Sequence, residues 1–211
     1  MFAEYLTSAL VTLLVTLDPP GLAPIFLSLT RGMTNDERRQ VAIRACLIAF
    51  CIMAFFGLAG DLVLKALGVS LPAFRIAGGL LLFWISFEMV FERRNERKQA
   101  TAETAITQDH IRNVAAFPLA IPLMAGPGAL TAVMLLAGRA GGDVAMLTSL
   151  AVICGLVILS CLAVFFLAVP IARLLGVTGN VVLTRLLGVI LAALAVQFVI
   201  DGVRAVVGGG G

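Results

Sequence analysis

Two short stretches hold the residues best suited to chemistry. Asp18-Pro19-Pro20-Gly21 interrupts one long apolar segment and Gly126-Pro127-Gly128 interrupts another. A carboxylate inside an apolar segment is costly unless it is paired, protonated or hydrated, so Asp18 is a candidate contact for an ammonium group or a proton. It is also suited to cap a helix, because Asp accepts backbone N–H bonds and Pro is favoured at the next position. Backbone N–H groups just after each break carry partial positive charge and attract carboxylate. Gly21, Gly126 and Gly128 permit close approach to the main chain. Pro24, Pro118 and Pro122 extend the irregular backbone around Pro20 and Pro127. Thr131, just past the second break, offers a hydroxyl that either faces the break or bonds back to its own helix. The candidate binding set is therefore Asp18, Pro20, Gly21, Pro24, Gly126, Pro127, Gly128 and Thr131.

The elements that position these residues follow from composition. Of the 211 residues, 61% are hydrophobic and 13% charged, against about 25% charged in a soluble domain. So few polar groups cannot cover a soluble surface. Apolar runs of about eighteen or more residues recur, each long enough to cross a bilayer core. The chain is read as an all-α polytopic membrane protein. A β-barrel is excluded, because its strands would alternate in polarity over about ten residues. Six spans are expected at 3–30, 40–64, 71–91, 114–137, 145–169 and 180–203. The first is too long for one straight helix, and a break near Asp18 resolves this. Pro and Gly persist inside a span where the freed backbone is enclosed by protein. Two such interruptions at matching places in two halves mark the binding site of a secondary transporter.

The halves do match. Lys65-Ala-Leu-Gly68-Val-Ser70 corresponds to Arg173-Leu-Leu-Gly176-Val-Thr178, Arg75-Ile-Ala-Gly78 to Arg185-Leu-Leu-Gly188, and Pro20-Gly21 to Pro127-Gly128, with offsets of 108, 110 and 107. A repeat unit of three spans has an odd number of crossings, so the second copy is inverted relative to the first. This gives an inverted repeat over 1–91, a polar loop over 92–113, a second repeat over 114–207 and a flexible glycine tail over 208–211. Gly21 and Gly128 are then expected to line one shared cavity near the midplane.

Basic residues set the orientation. Arg31, Arg38, Arg39, Arg44, Arg93, Arg94, Arg97, Lys98, Arg112 and Arg173 fall on one side, and Lys65, Arg139 and Arg204 on the other. Ten against three places the first group in the cytoplasm and both termini in the periplasm. The stretch 92–113 is charge-rich and is expected to be a mobile cytoplasmic loop. The N-terminus carries Glu4 and no basic region, which does not fit a cleavable signal.

Further residues take structural or gating roles. Arg75 and Arg185 occupy matching places, either snorkelling to the interface or bonding carbonyls exposed at a break. Gly78, Gly79 and Gly188 let helix backbones approach closely. Glu88, Gln197 and Asp201 sit toward the far ends of spans 3 and 6. Cys46, Cys51, Cys154 and Cys161 lie in apolar runs as small hydrophobes. No zinc spacing or disulfide framework occurs, and neither cofactor nor metal is expected. The single His110 is placed in the polar loop, and Trp84 faces lipid or packs. A net charge of +3 with its basic residues confined to loops gives no nucleic-acid signature.

The set Asp18-Pro19-Pro20-Gly21-Leu-Ala-Pro24, Arg75-Ile-Ala-Gly78-Gly79-Leu, Phe117-Pro118-Leu-Ala-Ile-Pro122-Leu-Met-Ala-Gly126-Pro127-Gly128 and Gly188…Val196-Gln197-Phe198 closely resembles the MarC family of bacterial inner-membrane proteins, over nearly the whole chain. That family is also grouped with neutral amino acid transporters of the SnatA type. The resemblance implies six spans, an inner-membrane location and movement of small neutral amino acids, with H+ or Na+ as candidate coupling ions. The site chemistry suits this independently, since a zwitterion needs an acceptor for its ammonium and donors for its carboxylate.

Other classes leave different marks. Export of larger metabolites or drugs would need a spacious, aromatic-lined cavity. A membrane enzyme would need His, metal ligands or paired carboxylates within the bundle, and no span contains a Glu-x-x-His or Ser/His arrangement. A passive channel would show a ring of like charges or a carbonyl filter.

Overall fold

The computed structural model describes residues 2–108 and 114–208, apart from the side chains at 95, 102–108, 172, 173 and 177. Helices α1 (Phe2–Leu17) and α2 (Pro19–Leu29) form the first span, divided at Asp18. Helices α3 (Asn35–Ala66) and α4 (Leu71–Val90) are the second and third, and α5 (Arg93–Gln108) follows. The fourth span combines an irregular segment, Ala115–Met124, with α6 (Pro127–Ala140), and bends by 58° between them. Helices α7 (Val144–Phe166) and α8 (Ala168–Val207) complete the chain. Five of these elements are long and apolar enough to cross a membrane, or six when the bent pair counts as one span. The described residues contain no strand. The chain is an all-helical polytopic membrane protein whose first and fourth spans are broken.

Local chemistry sets the helix starts. Thr34 and Glu37 form a reciprocal capping box at α3, which satisfies two backbone donors at once. Ser70 caps α4 through the Ala73 N–H, with Pro72 in the first turn. The Asp143 carboxylate accepts from both Ala145 and Met146 at the start of α7. Within the fourth span, Phe117 and Ile121 leave helical geometry, at φ −132°, ψ 126° and φ −125°, ψ 124°. Each precedes a proline, whose ring excludes the preceding residue from the helical region.

The sequence match between the halves reappears as matched backbone. Gly68 has φ +68° in the turn between α3 and α4, and Gly176 has φ +59° where α8 breaks. The apolar part of α8 restarts at Thr178, the counterpart of Ser70. Helices α4 and α8 form the most extensive interface. Gly79 lies under the Ala195 carbonyl and Val199, Gly188 lies against Met89 and the Ser86 carbonyl, and Gly202 lies against the Pro72 carbonyl. Small residues let these backbones close up in the absence of a hydrophobic drive between helices. Leu47, Phe55, Leu58 and Leu62 of α3 point outward, as expected of a lipid-facing stripe.

One expectation is corrected here. The charged stretch after α4 is a helix over 93–108, and it packs against α2, α4 and the Ala115–Met124 segment. Arg94 and Lys98 are buried within that packing. His110 and Arg112 lie outside the described residues, as do 209–211.

Candidate functional site

The first break is closed by protein groups at both ends. Asp18 adopts φ 55°, ψ 65°, a left-handed conformation that Asp tolerates better than most residues. From there its Oδ1 accepts the Gly21 N–H at 3.3 Å, capping α2. The other end, the C-terminus of α1, presents carbonyls with partial negative charge. There the Thr16 carbonyl accepts from the Arg94 guanidinium, whose second nitrogen lies 2.8 Å from Met89 Sδ. Asp18 is completely buried. Its Oδ2 lies 3.7 Å from Lys98 Nζ, near enough to attract and too far to hydrogen-bond. Both atoms are buried and have no hydrogen-bond partner among the described residues.

The second break is left open. Gly126 begins α6 with no side-chain cap, and Leu130 N–H returns to the Gly126 carbonyl. Pro127 carries no N–H, so Gly128 and Ala129 hold the two donors of the first turn that lack an intrahelical acceptor. They border a cavity of about 290 Å3, also lined by Thr16, Ile85, Arg94, Arg97, Lys98, Thr101 and Leu123. Gly126 is fixed by sterics: a Cβ there would overlap the Pro122 carbonyl oxygen. A Cβ on Gly128 would overlap Ile85 Cδ1 and stand 3.4 Å from Thr16 Cγ2. The two breaks therefore meet, with Gly128 over the residue two before Asp18.

They do not share one cavity, contrary to the sequence expectation. Pro20, Gly21 and Pro24 border a separate space of about 470 Å3 with Glu92, Glu96, Gln99, Gly176 and Asn180. Helix α5 divides the two. Its 96 and 99 positions, with Glu92 just before it, turn to the larger space, and its 94, 97, 98 and 101 positions to the smaller. The offset of three in the first set, and those of three, four and seven in the second, belong to two faces of one helix. Acidic groups thus line one cavity and cations the other. Burial, with the Arg94 guanidinium, pushes Lys98 down from the ordinary 10.5 to about 8, while Asp18 pulls the other way. Arg94, Arg97 and Lys98 were counted only for orientation from the sequence. The signal for them was present as cations at helical spacing.

The remaining sequence candidates separate. Thr131 is buried with its methyl against Gly78 and is absent from the lining of both cavities. Arg75 donates to the Gly138 carbonyl at 3.2 Å, in the last turn of α6 and away from the break. Arg185 instead pairs with Glu92 at 3.0 Å. The matched arginines thus have unlike partners. Glu88 accepts from Trp84 Nε1 at 3.2 Å and pairs with Arg97 at 2.9 Å, tying α4 to α5. Gln197 donates to Asp201 at 2.8 Å, and Asp201 lies 3.5 Å from Arg139. These groups form a cluster on α6 and α8 remote in sequence from the breaks.

The chain matches the model of the MarC family integral membrane protein over residues 3–207. A UPF0056 membrane protein of Aquifex aeolicus is 35% identical over 207 residues, covering 96% of this chain and 94% of that one. UPF0056 membrane protein YhcE of Escherichia coli is 32% identical, covering 93% of this chain and 90% of its own. UPF0056 inner membrane protein MarC of Citrobacter koseri is 34% identical, with 94% and 93% covered. No solved structure matches. With its two proline-broken spans and a match across nearly its whole length, the chain belongs to the MarC family of integral membrane proteins.

Proposed function

We propose that this protein is a secondary transporter of small neutral amino acids, with the substrate held in the cavity beside the second break. The observation that carries the reading is the uncapped N-terminus of α6 and the buried Lys98 ammonium, which makes no hydrogen bond among the described residues, bordering one cavity of about 290 Å3. Free amides at a helix N-terminus and an ammonium together are what a carboxylate needs. The substrate ammonium turns toward backbone carbonyls freed by the break. Pro127, for example, has no N–H to return to the Leu123 carbonyl. The volume lies at the bottom of the range of small-molecule pockets, about 300–1,000 Å3, which favours small side chains.

Neither cavity is lined by an aromatic residue, which argues against export of larger drugs. The matched Gly68 and Gly176 conformations support two related halves, and inverted halves would supply the two arrangements that alternating access requires. The distribution of basic residues supports an α5 on the cytoplasmic side and periplasmic termini. The test is uptake of labelled glycine, alanine and serine into proteoliposomes. Saturable uptake of the small members, with leucine and phenylalanine excluded, is expected.

A further inference from the structure

Asp18 and Lys98 form a pair that no helix-capping role explains. The cap uses only Oδ1 of Asp18. Oδ2 and the Lys98 ammonium face each other at 3.7 Å, both buried, both unbonded. Lys98 also borders the smaller cavity, whereas Asp18 borders neither. One ammonium therefore has the Asp18 carboxylate on one side and, across the cavity, two free backbone donors at the start of α6. A carboxylate entering that cavity meets the amides of Gly128 and Ala129 and competes with Asp18 for Lys98. The other charged and titratable groups around the pair do not substitute for Lys98. Arg94 is held by the Thr16 carbonyl and Met89, Arg97 by Glu88, and Cys161 of α7 is a buried free thiol that carries no cation. Helix α8 brings Arg185 to Glu92 and not to the pair.

From this geometry we infer that the cavity is a carboxylate site coupled to a proton: a bound carboxylate draws the Lys98 ammonium away from Asp18, and Asp18 then takes up one proton. The inference rests on the transport reading above and names its coupling ion. The charge balance is direct. Before binding, the site holds one carboxylate and one ammonium. Afterwards it holds the ligand carboxylate on the ammonium and a neutral Asp18 acid, so an anion such as acetate enters with its proton at no change in net charge, and a zwitterionic amino acid enters with its proton and adds one positive charge. A carboxylate left buried without a cation is more costly than its neutral acid, which drives the uptake. Lys98 is protonated below about pH 8, so at pH 6.5 a proton gained on binding does not go to Lys98.

The test is calorimetric titration of the purified full-length protein in nanodiscs at pH 6.5. The probes are glycine and acetate, and each is run in MES and in bis-Tris. The difference between the two buffers counts protons. Uptake of close to one proton per acetate is expected, with affinity rising about tenfold per pH unit lost between 7 and 6. In Asp18→Asn/Lys98→Arg, whose guanidinium cannot shed its proton, acetate should still bind and the count should fall to near zero, while Lys98→Arg alone should still take up about one. In Lys98→Gln, acetate affinity should drop at least tenfold. A wild-type count near zero, a pH-independent affinity, or a full proton in Asp18→Asn/Lys98→Arg overturns the inference. If the variants fail to fold, the wild-type count and pH slope decide alone. Glycine flux without proton uptake defeats this inference and leaves the transport reading standing. Acetate binding with uptake of one proton, in a protein that moves no amino acid, does the reverse.

Discussion

Replacing Asp18 separates capping from charge. Asn keeps an oxygen for the Gly21 N–H and tolerates the left-handed backbone, but it leaves Lys98 without an anion. A buried pair that loses one partner costs about 3–5 kcal/mol when the survivor stays charged. Lys98 need not stay charged. It titrates at about 8 even beside Asp18, so shedding its proton at pH 7 costs roughly 1–2 kcal/mol, from about 1.4 kcal/mol per unit. That is the expected loss for Asp18→Asn. Ala loses the cap as well, about 0.5–2 kcal/mol, and lacks the short polar side chain that eases Asp and Asn into left-handed geometry, a further cost of about 1–2 kcal/mol. Ala should therefore melt below Asn by roughly 3–16 °C, at about 2–4 °C per kcal/mol for a chain of this size. The pH dependence has a definite sign. The folded-state value of Lys98 lies below the ordinary 10.5, so the native state releases its proton first and stability rises with pH across that window. The gap between wild type and Asn should close above about pH 8, where Lys98 is neutral in both. Differential scanning fluorimetry from pH 6 to 9, with flux measured on the same preparations, checks this. Equal melting of Asn and Ala would refute the capping argument, and full flux through a well-folded Asn variant would show that the charge is not used.

Other substitutions test single contacts. Gly126→Ala should destabilise the fold, because its Cβ meets the rigid Pro122 carbonyl, and a wild-type melting temperature would contradict that approach. Gly128→Leu should insert normally and lose transport, since the added side chain enters the 290 Å3 cavity after displacing the mobile end of Ile85. Wild-type flux would make the second break purely structural. Gln99→Cys, on the exposed face of α5, should resist an impermeant thiol reagent on intact cells and react in inverted vesicles. The opposite pattern would reverse the orientation.

Much of the architecture is legible in the sequence, and the reason is solvent. Lipid cannot satisfy backbone groups, so spans of apolar residues must be helices and a proline inside one must break it. That logic located the breaks at Asp18 and at Gly126. The paired left-handed glycines, Gly68 and Gly176, were legible as a repeated motif. Helix α5 was not, because high charge reads as solvated loop. Its order depends on burial against α2 and α4, with Arg94 and Lys98 buried and, together with Arg97, bordering a cavity. The Asp18–Lys98 pair spans eighty positions, and no local pattern announces it. Arg75 and Arg185 show the converse. The repeat was real in sequence, yet α4 meets the end of α6 while α8 meets Glu92, so equivalent positions acquired different partners.

The most direct test of the transport account is counterflow in proteoliposomes. Vesicles containing the purified protein are loaded with unlabelled alanine and diluted into labelled glycine, with wild type and Gly128→Leu compared at pH 6.5. The account predicts transient accumulation of label by wild type, abolished in the variant and blocked by an excess of small neutral amino acids but not by leucine. Label entering no faster than into protein-free vesicles, or entering the variant as fast as wild type, would contradict it.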